Sequence, residues 1–215
     1  ARMRLGYRSL NEVDSISAII RGHERSTPRA VKQAESLEVG DVNRIAEAYG
    51  RSKYWWKVQV ATIIALGFTT LMRLGEVVPL ALEGVVLVFK DGVEKKVIEL
   101  GCIPRLKQVK GVFLGVRWRK SSQTRCVGVP VSCTTTLSML LRHLRMLRTV
   151  GRIRGRLFPS RKGRSVAAKR HPDNHVSNQS VTEALRKALV EVCGLTRQQA
   201  NIFSGHSLRV GGSNY

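Results

Sequence analysis

Changes in the spacing of apolar residues mark out the predicted elements. Residues 42–49, Val-Asn-Arg-Ile-Ala-Glu-Ala-Tyr, predict a short helix opened by a Gly40-Asp41 cap and stopped at Gly50. Residues 53–72 then carry Trp55, Val58, Ile63, Leu66 and Met72 among other apolar residues on several faces, which predicts a helix buried all round at the centre of a domain. Its most apolar stretch, Val60 to Phe68, is well short of the roughly 18–20 residues that a membrane span needs.

Between Val85 and Val131 the period shortens to that of strands. Val85 to Phe89, a turn at Asp91-Gly92, Val112 to Arg119 and Arg125 to Val131 predict a small antiparallel sheet. Helical spacing returns over Thr134 to Val150, where Leu137, Leu140, Leu141, Leu144 and Leu147 oppose Arg142, Arg145 and Arg148 in an amphipathic helix with a basic face. Residues 151–175 hold eight Arg and Lys from Arg152 to Arg170 among Gly, Pro and Ser, and predict an exposed loop. Ser177 caps a further helix, Val181 to Val192, which Gly194 ends.

The expected fold class is therefore mainly α with a small antiparallel β-sheet. Residues 1–34 are polar and basic and are broken by Ser26-Thr27-Pro28, so they are expected to be a linker or the tail of an N-terminal helical DNA-binding module, with the main domain at 35–215.

Charge changes this picture most. The 215 residues hold 37 Lys and Arg against 15 Asp and Glu, a formal net charge of +22, and Arg is twice as common as Lys. Forked guanidinium donors suit phosphate better than solubility alone would require, so a phosphate-rich partner is the natural inference. A ribosomal or histone-like packing protein, or a solvated basic face without a target, fits the charge equally well. Arg2, Arg4 and Arg8 are not followed by an apolar stretch, so no secretory signal is expected and an intracellular, DNA-associated location is. Cys102, Cys126, Cys133 and Cys193 lack C-x-x-C spacing; neither a disulfide framework nor a zinc site is expected.

Four polar clusters could carry chemistry. In Leu71-Met72-Arg73-Leu74-Gly75-Glu76 a hydrophobic helix runs into Arg73 and Glu76, which share a side at that spacing; an ion pair closing the helix is the simpler reading. Trp118 to Arg125, with Arg119, Lys120 and Arg125, forms a basic turn between two strands, able to reach a groove or to stand as a solvated turn. In Ser204-Gly205-His206-Ser207-Leu208-Arg209-Val210-Gly211-Gly212, a helix starting near His206 would set His206 and Arg209 on one face close to a helix N-terminus, a possible anion clamp, although the glycines weaken a helix there. Arg161, Lys162 and Arg164 in the Arg-rich stretch would make nonspecific phosphate or RNA contacts.

Taken in order, an Arg with an acid three residues on, a Lys in a β-hairpin, and H-x-x-R before a small-residue helix resemble the catalytic domain of tyrosine recombinases and phage-type integrases, over residues 35–215. The His206 to Gly212 segment is similar to the Cre-like and eukaryotic retrotransposon branches. The resemblance implies the DNA breaking-rejoining enzyme fold and site-specific recombination or integration through a 3′-phosphotyrosyl intermediate. It implies double-stranded DNA as partner, with self-assembly on it, and needs no metal, nucleotide, membrane or small-molecule substrate. By motif position Arg73 and Arg209 would clamp the nonbridging oxygens, Lys120 would protonate the leaving 5′-oxygen, His206 would assist proton transfer, and Glu76 would orient His206 or Arg73.

The family's nucleophilic Tyr lies tens of residues beyond H-x-x-R, so the chain is expected to stop short of it. Tyr215, about 9 Å along a continued helix and about 240° round from Arg209, would not share the Arg209 face. The alternatives are a noncatalytic DNA-binding relative that kept the clamp, and a basic RNA-binding or packing protein.

Overall fold

Helix α2, Trp55–Thr70, is the element around which the others are built. Every residue from Val58 to Phe68 is buried. Its threonines bond back within it: the hydroxyls of Thr62, Thr69 and Thr70 donate to the carbonyls of Val58, Ala65 and Leu66, at 2.7, 2.8 and 2.6 Å. Returning a hydroxyl to the preceding turn is how a threonine sits in an apolar helix without an orphaned donor.

The computed structural model describes residues 35–120, 123–160 and 175–214, and of 117–120 and 123–126 the strand backbone alone. The described residues belong to one compact unit. Ahead of α2 lies α1, Val39–Gly50; behind it come the short α3, Leu74–Val77, then strands β1, Val85–Phe89, β2, Glu94–Lys96, β3, Val109–Lys120, and β4, Gln123–Val131. Helices α4, Thr134–Thr149, α5, Asn178–Cys193, α6, Arg197–Asn201, and α7, Gly205–Ser213, follow. The fold is thus mainly helical with one four-stranded antiparallel sheet in the order β2-β1-β3-β4. Val85, Leu87, Val112, Leu114 and Val131 alternate onto the buried face, with Leu114 set between Val85 and Val129.

Several expectations change. The first helix begins at Val39 with Glu38 as its cap, so Gly40 and Asp41 lie inside the first turn; Asp41 is buried and accepts from Arg44 at 2.6 Å. Strand β2 is wholly exposed and charged, and carries no apolar alternation by which sequence could signal it. The five-residue α6 is likewise unexpected; Thr196 and Gln199 cap it reciprocally.

The stretch expected as an exposed loop from 151 is in part core. Leu157 and Phe158 are fully buried, tied by Leu157 N–H to Leu80 O, by His143 Nε2 to Leu157 O at 2.8 Å, and by Gln59 Nε2 to Pro159 O at 3.1 Å. Its Arg-rich continuation falls outside the described residues.

The basic face of α4 also does something the sequence does not announce. Arg142 donates to Ser52 O, Arg145 to Pro104 O and Arg148 to Val97 O and Gly101 O. Arg156 and Arg186 do the same to Pro79 O and Phe203 O. Guanidinium groups here hold loop carbonyls, so part of the excess positive charge is structural. Among the described residues no helix is long and apolar enough to cross a membrane.

Candidate functional site

Helix α2 ends in a left-handed turn. Leu71 has φ 56° and ψ 18°, a conformation that costs a non-glycine residue about 1–2 kcal/mol. After it the chain is extended at Arg73, which caps α3, while Met72 and Leu74 on either side are buried. Glu76 reaches back: its Oε2 accepts the Arg73 N–H at 2.8 Å and its Oε1 accepts from Arg73 Nη1 at 3.3 Å. The Arg73–Glu76 pair therefore forms at the start of a new short helix, not at the end of the buried one, because the turn at Leu71 intervenes. The Arg73 side chain is 58% exposed, so its remaining donors face solvent.

The second part of the site is α7. Ser204 Oγ accepts the His206 N–H at 3.2 Å, and the buried Ser207 Oγ accepts the Ser204 N–H at 3.0 Å, a reciprocal cap that fixes where the helix starts. That start puts His206 in the exposed first turn and Arg209 three residues later, half-buried. Among the described residues, no hydrogen-bond or ion-pair partner holds the side chain of either.

Glycines decide how α7 meets α2 and α3. A Cβ on Gly211 would collide with Leu37 O and the Phe68 ring, and one on Gly212 with Phe68 O and Leu71 Cδ2. One on Gly205 would lie 2.8 Å from Leu74 Cδ2, and Leu208 packs over Gly67. Each glycine costs a helix about 0.5–1 kcal/mol relative to alanine, yet the close approach it permits buries Leu208 and α7 forms. The neighbours of Arg73, Leu71 and Leu74, thus touch Gly212 and Gly205, which flank the His206–Arg209 turn. Two segments far apart in sequence meet at one corner of the domain.

Such a corner offers forked guanidinium donors and the first turn of a helix, both suited to a phosphate oxygen. Glu76, half-buried, offsets part of that charge through Arg73. Among the described residues, no group of three or more His, Cys, Asp or Glu is placed to hold a metal ion. Cys102 and Cys133 are exposed and Cys193 half-buried, all free.

Other expected site residues lie on the β3–β4 hairpin or beyond the described parts. Lys120 pairs with Gln123, Arg119 with Thr124 and Arg125 with Trp118 in the ladder; their side chains are outside the described residues. Helix α3 packs against β3 and α2 against β4, so the hairpin springs from the same layer. Arg161, Lys162, Arg164 and Tyr215 lie outside the described residues. Sequence reading missed Leu71, the Ser204–Ser207 cap and the close-contact glycines. The S-x-x-S spacing at 204–207 was the one signal available for them.

One solved structure similar to this chain is that of the XerH site-specific recombinase bound to difH substrate in a pre-cleavage complex, at 11% sequence identity and a TM-score of 0.48. The match covers 87% of this chain and 44% of that one, so the chain spans less than half the length of that recombinase. No protein-family model matches the chain, and no curated protein does.

Proposed function

We propose that this chain provides the phosphate clamp of a DNA strand-breaking and rejoining protein, a tyrosine recombinase in its chemistry. The observation that carries the reading is Arg209: a half-buried guanidinium with no acceptor among the described residues, one turn from the exposed His206 and joined through Gly205 and Leu74 to the Arg73 corner. The Arg209 side chain is half-buried and not sealed from solvent, so its forked donors stay open to an anionic ligand. Duplex DNA supplies such a ligand at every phosphate.

In this reading Arg73 and Arg209 donate to the nonbridging oxygens of the scissile phosphate, where charge builds as a tyrosine hydroxyl attacks phosphorus. The new bond is P–O(Tyr) and the broken bond is P–O5′; Lys120 gives its proton to O5′, and His206 relays the proton the tyrosine loses. Glu76 is a positioning residue that holds Arg73 through its N–H and Nη1. Arg119, Arg125, Arg161, Lys162 and Arg164 add phosphate contacts along the duplex, and copies of the protein assemble on it.

The test is a nicked duplex that traps a covalent adduct, offered to the full natural protein and to its Arg73→Ala and Arg209→Ala variants, with adducts read on a denaturing gel. An adduct in the parent and none in either variant, at duplex affinity within about tenfold, is the expected result. Duplex binding without any adduct would overturn the catalytic half and leave a DNA-binding protein. Tighter binding of RNA than of duplex DNA at matched salt would overturn both halves.

A further inference from the structure

At the other end of α2, about 25 Å from Leu71 along the helix axis, the turn joining α1 to α2 gathers positive charge around an exposed aromatic ring. Gly50-Arg51-Ser52-Lys53-Tyr54 is clamped from below by α4: Gly50 lies against the Met139 thioether, and Arg142 donates to Ser52 O at 3.3 Å. Ser52 Oγ in turn accepts the Tyr54 N–H at 3.1 Å. The turn is therefore held in one shape. On it Tyr54 is 54% exposed, with Lys53 Nζ 5.4 Å from its ring centroid and the exposed Arg51 three residues before it.

These cations are not committed elsewhere. Glu191, a carboxylate of the neighbouring α5, is already held by Tyr49 Oη at 2.7 Å, Lys57 at 3.3 Å and Lys187 at 3.4 Å. Glu47, one turn before Arg51, makes no ion pair with it among the described residues. Neither Arg51 nor Lys53 has an acidic partner there, so the turn carries net positive charge together with Arg142.

We propose that the α1–α2 turn is a second nucleic-acid surface, which takes an unpaired strand: Arg51 and Lys53 contact its phosphates and the Tyr54 ring stacks on a base. The combination favours that occupant over others. A duplex keeps its bases stacked inside and would use the cations but not the ring. A bilayer needs exposed apolar side chains to insert, and the exposed neighbours of Tyr54 in this turn are Arg51 and Lys53. Base stacking on an aromatic ring, beside cations that follow the backbone, is the general solution for single strands. The surface stands on its own residues and does not depend on the Arg73–Arg209 corner.

The test is fluorescence anisotropy of a labelled single strand of about 12 nucleotides, within the usual site size for such surfaces, and of the matching duplex. Tyr54→Ala should weaken single-strand binding about tenfold, Tyr54→Phe should restore most of it, and neither should move duplex affinity more than about twofold. Arg51→Ala with Lys53→Ala should lower the slope of log affinity against log salt by about 1.4 for the single strand. These losses should add to those of Arg209→Ala, as expected for sites so far apart. Unchanged thermal melts keep the comparison fair, since all three side chains are exposed. Single-strand affinity that Tyr54→Ala leaves intact would overturn the proposal. So would equal losses on single strand and duplex, or binding to vesicles rich in anionic phospholipid that the same variants abolish while single-strand binding persists.

Discussion

Gly205 and Leu74 are in contact across the candidate site: a Cβ on Gly205 would stand 2.8 Å from Leu74 Cδ2 and 3.0 Å from its Cβ. Gly205 precedes His206 and Leu74 follows Arg73, so this contact joins the two halves of the corner. Its partner contact, Gly212 against Phe68 O, is different in kind, because a backbone oxygen of a buried helix cannot move aside as a leucine tip can.

That difference sets an order of effects. Gly212→Ala is expected to cost about 1–3 kcal/mol through overpacking, even after the helix-propensity gain of about 0.5–1 kcal/mol. In a unit of this size the melting temperature would fall by about 3–10 °C. Gly205→Ala should cost less than half as much. Thermal unfolding of both variants checks the order, and equal losses would contradict it.

Leu71 sits in the left-handed region with its side chain 42% exposed. Leu71→Gly or Leu71→Asn should therefore stabilise the fold by about 0.5–1 kcal/mol, since the strain removed exceeds what the half-exposed side chain contributes. Chemical denaturation of the variants gives the sign directly. A loss of stability would mean that the Leu71 contact with α7 outweighs its backbone strain.

Burial lowers the His143 imidazole from its ordinary value to about 4 and outweighs the hydrogen bond to Leu157 O, which acts the other way. Between the unfolded value near 6.5 and the folded one, the unfolded chain binds a proton that the native one does not. Stability from this residue is therefore full above about pH 6.5 and declines as pH falls towards 4, by about 3 kcal/mol in all. Urea midpoints for the parent and His143→Gln at about pH 7.5 and 5 should diverge on this account, the parent losing more. Parallel losses in the two would refute it.

Arginines of this chain should divide into two behaviours. Arg148→Ala removes donors to Val97 O and Gly101 O and is expected to cost about 1–2 kcal/mol of stability while leaving the salt slope of duplex binding unchanged. Arg209→Ala should leave stability within about 0.5 kcal/mol and reduce that slope by about 0.9. Paired melts and salt titrations separate the two roles. A reduced slope for Arg148→Ala would place it on the DNA.

Local chemistry made much of this readable. Ser177 accepts the Ser180 N–H and Gly194 ends the same helix at φ 75°, as their residue types require. The mostly apolar run of α2 and the leucine stripe of α4 likewise depend only on side chains a turn apart. What failed to be read depends on partners distant in sequence. Leu157 and Phe158 follow a run of arginines and look like loop until α4 supplies His143 for the Leu157 carbonyl and α2 supplies Gln59 for that of Pro159.

By itself, then, the sequence determined the charge, the helices and strands with strong apolar periods, and the residue types able to hold a phosphate. The tertiary structure decided which of them meet. Arg73 faces out at a corner because Leu71 reverses the chain, and Arg209 stands beside that corner because glycines let α7 lie directly on the backbone of α2. It also decided that arginines such as Arg145 and Arg148 serve loop carbonyls and are spent on the fold. A guanidinium reads the same in sequence whether its acceptor is a carbonyl or a phosphate; only packing brings the carbonyl within reach.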